Sequence, residues 1–405
     1  MPTVSTAGAS YAPPAASPAT ATPVGGRIAS IDVIRGVVMI LMALDHVRVY
    51  SGVPAGGPTA GVFFTRWVTH FAAPAFVFLA GTGAFLHGRK LGDPGALRRF
   101  LLTRGLLLVA LEMTVIRLAW TFNLDYAHYM LAGVIWMLGV CMLLLAGLTH
   151  FSTRTVGIFG LVVILAQQLV ALPAVAMPES VRASVGWIWQ ILYFGGPIPL
   201  GGDASFIVLY SIVPWIGVMA AGYAFGAVML RDAAERDRLC LRIGLAATAL
   251  FVLGASITLF SRGGQADDGP VLFRLLNQQK YPASQLFLLM TLGPTIALLP
   301  LAGRARGRVA TWLATFGRVP MFYYLLHIPL IHAMAVVVSL VRTGAVTPWL
   351  FGNHPMRPPE QPDGYMWSLG LLYLVFALAI VLLYFPCRWY ATTKARRPRA
   401  WMRYV

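Results

Sequence analysis

Apolar runs of about 20 residues alternate with short polar connections along almost the whole chain. A helix of about that length crosses the roughly 30 Å of hydrocarbon in a bilayer. The pattern therefore predicts an all-α fold, a polytopic integral membrane bundle of about ten transmembrane helices. The predicted spans are residues 32–50, 66–87, 100–119, 128–148, 155–174, 206–230, 239–260, 284–302, 319–341 and 366–388.

The composition agrees with a membrane protein and excludes other classes. Hydrophobic residues make up 58% and charged residues 11% of the 405, with a mean hydropathy of +0.72, which is too apolar for a soluble domain. The net charge is +17, but no basic run is interleaved with aromatics on a water-soluble segment, so no nucleic-acid partner is expected. The three cysteines are far apart and have no C-x-x-C spacing, so no metal is expected.

Lysine and arginine concentrate in alternate connections, which sets the expected orientation. Basic residues favour the cytoplasmic side of bacterial-type membranes. The pattern predicts a multi-pass protein of the cytoplasmic (inner) membrane with both termini cytoplasmic, and membrane insertion explains most of the excess charge. Three longer connections, 175–205, 261–283 and 342–365, then lie on the opposite side, and the aromatic segment 187–194 is expected to lie in the membrane interface.

The chain is divided by composition into three parts. Residues 1–26 carry no charged side chain and are rich in Ala, Pro, Ser and Thr, which predicts a disordered N-terminal tail. Residues 27–390 form one transmembrane domain, and residues 391–405 form a basic cytoplasmic C-terminal tail.

The first predicted helix carries five ionisable side chains. An ionised group at the bilayer centre costs at least about 2.5–3.5 kcal/mol, so such residues normally face a partner or a water-filled cavity. We expect Asp32 and Arg35 to cap and neutralise the cytoplasmic end of this helix. Asp45, His46 and Arg48 lie near its other end.

Ionisable residues on other helices fall at similar depths. Arg66 and His70 open the second helix, Glu112 and Arg117 lie in the middle and outer parts of the third, and His327 lies in the ninth. We expect these groups to line one outward-opening cavity, together with His128 at the start of the fourth helix and with Trp120, Asn123, Asp125, Tyr323, Tyr324 and His332. The catalytic candidates among them are Asp45, His46, Arg48, His70, Glu112, Arg117 and His327. A buried polar network that only fixes helix packing is the alternative.

A histidine beside a carboxylate is suited to general-base catalysis. Adjacent helical residues diverge by 100°, so Asp45 does not necessarily bond to His46, and Glu112 from another helix is an equally good partner. The chain has no G-x-S-x-G, Walker or H-E-x-x-H motif, and so no motif for a serine hydrolase, a nucleotide hydrolase or a zinc protease.

Several segments resemble bacterial proteins related to heparan-α-glucosaminide N-acetyltransferase. They are RIASIDVIRG at 27–36, MALDHVR at 42–48, FTRWVTHFAAPAFVFLAG at 64–81, FGRVPMFYYLLHIPL at 316–330 and CRWY at 387–390, which is followed by Lys394. The resemblance implies a transmembrane acyltransferase. Such an enzyme takes an acyl group, typically acetyl, from cytoplasmic acyl-CoA (acetyl-CoA) and passes it to an acceptor across the membrane. The implied partners are membrane lipid and a sugar or glycolipid acceptor; the oligomeric state is not implied.

The chain departs from this family at one important position. The lysosomal members place their active histidine in the lumenal loop after the first membrane helix. The corresponding loop, residues 50–65, contains no histidine. His46 and His70 flank it, and either is a candidate for that role.

The expected mechanism is direct attack by an acceptor hydroxyl or amine on the thioester carbonyl. His46 would be the base, oriented by Asp45 or Glu112, and His327 is the alternative base. Arg48 or Arg117 would position the acceptor or the oxyanion. Arginine matches phosphate geometry, so the candidates for holding the coenzyme A phosphates are Arg98, Arg99, Arg104 and Arg318, although membrane insertion explains these arginines equally well.

The alternative function is a transporter or flippase for a glycan or lipid. Asp45, His46 and Glu112 would then relay protons across the membrane. Binding of an acyl thioester separates the two functions, because an exporter does not need it. A purely structural membrane subunit is the third possibility, and the buried ionisable residues argue against it.

Overall fold

The structure is a computed structural model that describes residues 28–57, 59–261, 269–352 and 360–403. The predicted tail, 1–26, lies outside these residues. The described helices are α1 Ala29–Ser51, α2 Ala60–Trp67, α3 Ala72–Leu91, α4 Pro94–Leu111, α5 Arg117–Thr121, α6 Val134–Leu148, α7 Thr153–Ala166, α8 Ala171–Ala176, α9 Glu179–Trp189, α10 Ile212–Phe225, α11 Ala233–Ser261, α12 Val271–Leu276, α13 Gln285–Ala297, α14 Leu299–Arg304, α15 Gly307–Arg318, α16 Pro320–Thr343 and α17 Leu369–Arg396.

Short turns of other helix types join or extend these elements. The 3₁₀ turns are Val68–Phe71, Gln167–Val170, Val228–Leu230, Pro348–Phe351 and Ala400–Arg403, and the π turns are Glu112–Ile116 and Gln190–Phe194. The last long helix, α17, continues past the predicted domain boundary at 390.

Seven helical runs among the described residues are long and apolar enough to cross a membrane. They are Ala60–Leu91, Thr153–Ala176, Ile212–Leu230, Ala233–Ser261, Gln285–Arg304, Pro320–Thr343 and Leu369–Arg396. The protein is therefore a predominantly helical, multi-pass membrane protein, as the hydropathy pattern predicts.

The other three predicted spans correspond to helices that are more charged or shorter than these seven. These helices are α1, the run from α4 through the π turn to α5, and α6. The first two carry several charged side chains, and α6 is only 15 residues long. The count of about ten spans thus stays a prediction.

A three-stranded sheet interrupts the helical architecture. Its strands are β1 Tyr129–Ala132, β2 Gly196–Gly201 and β3 Ala204–Val208. The order is β1-β3-β2, with β1 parallel and β2 antiparallel to β3. The all-α prediction did not include this sheet. The segment expected to begin the fourth helix at residue 128 instead forms β1, because short apolar runs suit a buried strand as well as a helix.

Helix α1 lies at the centre of the fold, where it packs against α3, α14, α15, α16 and α17. Two glycines permit its closest crossing, with α15. A Cβ atom on Gly36 would lie 1.9 Å from the carbonyl oxygen of Leu313, and one on Gly317 would lie 1.9 Å from that of Asp32. Backbone therefore contacts backbone, which fixes the depth of the α1 side chains relative to α15 and α16.

The remaining long helices form a shell around this centre. Helix α10 packs against α3, α6 and α7, while α4 pairs with α6 and α11 pairs with α13. The runs Thr153–Ala176 and Ala233–Ser261 bury only 17% of their apolar windows and expose rows of leucine and valine. That exposure is typical of helices that face lipid.

Candidate functional site

Two cavities lie along α1, and they share part of one wall. The large cavity, about 550 Å³, adjoins the first half of α1, and the small cavity, about 210 Å³, adjoins its last two turns. Val134 and Tyr324 line both cavities. A ligand in one cavity is thus separated from a ligand in the other by side chains of α6 and α16.

The small cavity gathers most of the predicted catalytic residues. The predicted residues that line it are Asp45, His46, Arg48, His70 and Glu112. His327 is not in the lining but contacts His46. Arg66, which the sequence places beside the cavity without a catalytic role, lines it as well, and so does Lys280, which the sequence argument did not single out.

His46 and His327 form a directed pair. Nδ1 of His46 lies 2.7 Å from Nε2 of His327, and Nδ1 of His327 lies 2.7 Å from the carbonyl oxygen of Tyr324. A carbonyl only accepts, so a neutral His327 donates from Nδ1 and accepts at Nε2. His46 then donates from Nδ1, which leaves its Nε2 with a lone pair.

Nε2 of His46 is the nitrogen available to a substrate. The His46 ring lines the small cavity, with Trp120 edge-on at 4.8 Å between ring centroids. Among the described residues, Nε2 of His46 has no hydrogen-bond partner. His327 is fully buried and orients His46, so the arrangement gives His46 the geometry of a base and His327 that of its orienting partner.

This pair corrects the expectation that a carboxylate orients His46. Asp45 instead accepts from Nε of Arg48 at 3.0 Å. Arg48 also donates to the carbonyl oxygen of Val53 at 3.1 Å. The two side chains lie one turn apart on α1 and neutralise each other, because an i,i+3 spacing places them on the same face.

Glu112 likewise has a partner other than His46. One of its carboxylate oxygens accepts from the backbone N–H groups of Ile135 and Trp136, at 2.8 and 3.0 Å. The carboxylate therefore closes the N-terminus of α6, where the helix dipole favours negative charge. Gly133 permits this approach, since a Cβ atom there would lie 2.6 Å from Glu112 Oε1.

Arg117 does not take part in the site as expected. It lines neither cavity and is only 1% exposed. Its guanidinium donates to backbone carbonyls of Asn123, Asp125 and Tyr129 and to the hydroxyl of Thr121. Arg117 thus organises the connection between α5 and β1, because one guanidinium binds several carbonyl oxygens of that connection.

His128 lies outside the spanning helices in an exposed turn rather than at the start of a helix. Its Nδ1 is 2.6 Å from the Asp125 carboxylate. This hydrogen bond lowers the pKa of Asp125. The contact belongs to the surface and not to either cavity.

The large cavity is strongly basic. Of the four predicted phosphate-binding arginines, Arg104 and Arg318 line it, whereas Arg98 and Arg99 do not. The positive side chains at its wall come from five helices, α1, α3, α4, α15 and α17, and no Asp or Glu stands among the described lining residues. They are Arg35, Lys90, Arg104, Arg318 and Lys394, with His87 beside them.

The family of the chain is shown by its similarity to known proteins. The model of the heparan-α-glucosaminide N-acetyltransferase catalytic domain matches residues 27–260, more than half of the chain. The chain belongs to this family. No curated protein matches the chain.

Membership in the heparan-α-glucosaminide N-acetyltransferase family supports a transferase function in the membrane. The matched region contains His46, Glu112 and Arg104 but ends before α15. His327 and Arg318 therefore lie outside it, and only the folded structure brings them to the two cavities. Among the described residues, no three His, Cys, Asp or Glu side chains are grouped as metal ligands.

Proposed function

We propose that the protein is a membrane acetyltransferase that binds acetyl-CoA in the large cavity and acetylates a hydroxyl or amine in the small cavity. The observation that carries the proposal is the shared wall. Val134 and Tyr324 line both cavities, and the His46–His327 pair lies beside this wall, since Tyr324 contacts the His327 ring. A thioester reaching the wall from one side would meet a nucleophile activated from the other.

The large cavity has the chemistry that acetyl-CoA needs. Coenzyme A carries three phosphates, and guanidinium and ammonium groups are their usual partners. Apolar side chains such as Leu79, Leu138 and Met321 complete the wall and suit the pantetheine arm. The positive-inside pattern supports an opening toward the cytoplasm, where acetyl-CoA is made.

His46 supplies the proton chemistry. The acceptor O–H or N–H gives its proton to Nε2 of His46 as its heteroatom attacks the acetyl carbonyl. The positive charge that forms on His46 is stabilised by the lone pair on Nε2 of His327. The tetrahedral intermediate then collapses with cleavage of the C–S bond. The coenzyme A thiolate leaves and takes the proton held on Nε2 of His46, which regenerates neutral His46.

Purified protein in lipid nanodiscs tests the proposal directly. Incubation with [¹⁴C]acetyl-CoA and envelope lipids or glycans should release free coenzyme A thiol and label an acceptor. His46→Ala should slow release by about 10²–10⁴-fold, and Arg104→Gln should weaken acetyl-CoA binding. Arg99→Gln is the matched control, because Arg99 is exposed and lies outside the cavity.

The transport alternative predicts a different outcome. A flippase or exporter would neither bind acetyl-CoA nor release coenzyme A, while flux of a labelled lipid or glycan would depend on His46. Wild-type protein that fails to bind acetyl-CoA in calorimetry would overturn the acetyltransferase proposal.

A further inference from the structure

The small cavity contains two cations that have no ion-pair partner among the described residues. Asp45 is paired with Arg48, and Glu112 is held by the N-terminus of α6. Arg66 and Lys280 line the same cavity, and neither forms an ion pair or a side-chain hydrogen bond with any described residue. The cavity wall therefore carries an excess of positive charge.

Lys280 is held in place by aromatic rings. The residue is only 8% exposed, and its ammonium nitrogen lies 5.1 Å from the ring centre of Tyr281 and 5.7 Å from that of Tyr210. A cation at that separation is attracted to the ring faces, but the rings do not replace a counter-ion. A buried, unpaired ammonium is costly unless an anion completes its surroundings.

His70 adds a third nitrogen-bearing group. It lies one turn after Arg66, is 2% exposed and lines the cavity, and neither of its ring nitrogens has a hydrogen-bond partner among the described residues. The charges of Lys280, Arg66 and Arg48 act on the His70 ring, and the charge of Asp45 opposes them. Buried polar atoms are normally paired, so an orphaned imidazole in a cavity wall points to a missing ligand.

We infer that Arg66, His70 and Lys280 form a subsite for an anionic group, a phosphate, sulfate or carboxylate, carried by the acceptor. The inference rests on the proposed function for the identity of the ligand as an acceptor. The subsite shares its cavity with Nε2 of His46, whereas the cations assigned to acetyl-CoA line the other cavity. The anionic group would thus hold the acceptor hydroxyl or amine beside the base, and the small volume suits one sugar unit bearing that group.

Thermal unfolding in nanodiscs of zwitterionic lipid tests anion binding without any turnover. Saturating coenzyme A is added to every sample, so that the large cavity is occupied. Glucosamine 6-phosphate or inorganic phosphate should then raise the melting temperature of the wild type, while potassium chloride at equal ionic strength should not. The apparent affinity for the phosphate probe should fall about tenfold or more in Lys280→Gln and in Arg66→Gln.

Two further variants test whether the loss of affinity comes from misfolding or from the loss of any positive charge. Lys280→Arg retains the positive charge and should retain most of the affinity for the phosphate probe. If Lys280→Gln lost affinity only because it misfolded, restoring the charge with arginine would not be expected to recover that affinity. Arg182→Gln removes a cation from exposed α9, outside the cavity, and should bind the probe like the wild type. Equal affinity in wild type, Lys280→Gln and Arg66→Gln would overturn the inference.

A parallel series of nanodiscs with anionic lipid distinguishes a lipid headgroup from a soluble acceptor as the source of the anion. Nanodiscs containing phosphatidylglycerol that stabilise the wild type, but not Lys280→Gln, would assign the anion to a lipid headgroup; stabilisation by the soluble probe alone would assign it to a soluble acceptor. The inference and the proposed function fail separately. Coenzyme A release without Lys280-dependent anion binding refutes only the subsite, and anion binding without acetyl-CoA binding refutes only the transferase.

Discussion

Nδ1 of His46 lies 2.7 Å from Nε2 of His327, although 281 residues separate them in the chain. The contact joins α1, inside the region that defines the family, to α16, beyond it. His327 in turn is anchored by the carbonyl oxygen of Tyr324 on its own helix. The direction of these bonds determines which ring nitrogen of His46 faces a substrate, and the first two predictions follow from it.

Replacing His46 should remove catalysis without unfolding the protein. His46→Ala is expected to lower the rate of acetyl transfer by about 10²–10⁴-fold, the usual contribution of a general base. His46→Gln keeps a polar side chain of similar reach but cannot accept a proton at neutral pH. Initial rates of coenzyme A release should therefore be low in both variants. Full activity in His46→Gln would show that His46 serves packing only.

Replacing His327 should act through His46. His327→Ala removes the acceptor for the Nδ1 proton of His46, so we expect kcat to fall while the KM for acetyl-CoA is unchanged. His327→Gln can still accept that proton through its amide oxygen and should lose less activity. Steady-state kinetics on both variants check this order. If Gln and Ala are equally impaired, the hydrogen bond is not what His327 contributes.

The cations of the large cavity should control the affinity for the donor. Arg104→Gln and Lys90→Gln each remove one charge from the wall and should raise the KM for acetyl-CoA about tenfold, as expected for loss of a charge-assisted hydrogen bond. Exposed Arg99 provides the control, since Arg99→Gln should leave this KM unchanged. A normal KM in both cavity variants would place acetyl-CoA elsewhere.

The sequence predicts the long helices well because hydropathy is a local property. The predicted spans 284–302 and 319–341 differ by only a few residues from the helical runs Gln285–Arg304 and Pro320–Thr343. The strand β1 was missed, since its four residues pair with β3, which begins at Ala204. No local pattern reveals such a distant partner.

The site was predictable only in part, for the same reason. Charged residues in an apolar helix stand out, so Asp45, His46 and Glu112 could be selected from the sequence. Their hydrogen-bond partners could not, because those depend on how helices pack. Lys280 could not be found at all, since it lies in a connection where a lysine is unremarkable in sequence, and only the fold places it in the cavity.

Glu112 should matter more for stability than for chemistry. Glu112→Ala would leave the buried N–H groups of Ile135 and Trp136 unpaired, and each buried unsatisfied group costs about 1–3 kcal/mol. Glu112→Gln keeps one accepting oxygen and should be destabilised less. Thermal unfolding in detergent measures the difference. A normal melting temperature for Glu112→Ala, with activity lost, would instead make Glu112 a catalytic group.

The orientation of the protein decides whether the donor cavity can be supplied with acetyl-CoA. Single cysteines at Ala96, in the first turn of α4, and at Arg306, between α14 and α15, should resist a membrane-impermeant reagent in intact cells, whereas one at exposed Asp203 should react. The background lacks Cys141, Cys240 and Cys387, which are buried and free in the structure. Lys90, at the wall of the large cavity, lies on the helix that leads to Ala96. Labelling of Ala96 and protection of Asp203 would reverse the topology, and the basic cavity would then open away from the cytoplasm, where it could not take acetyl-CoA.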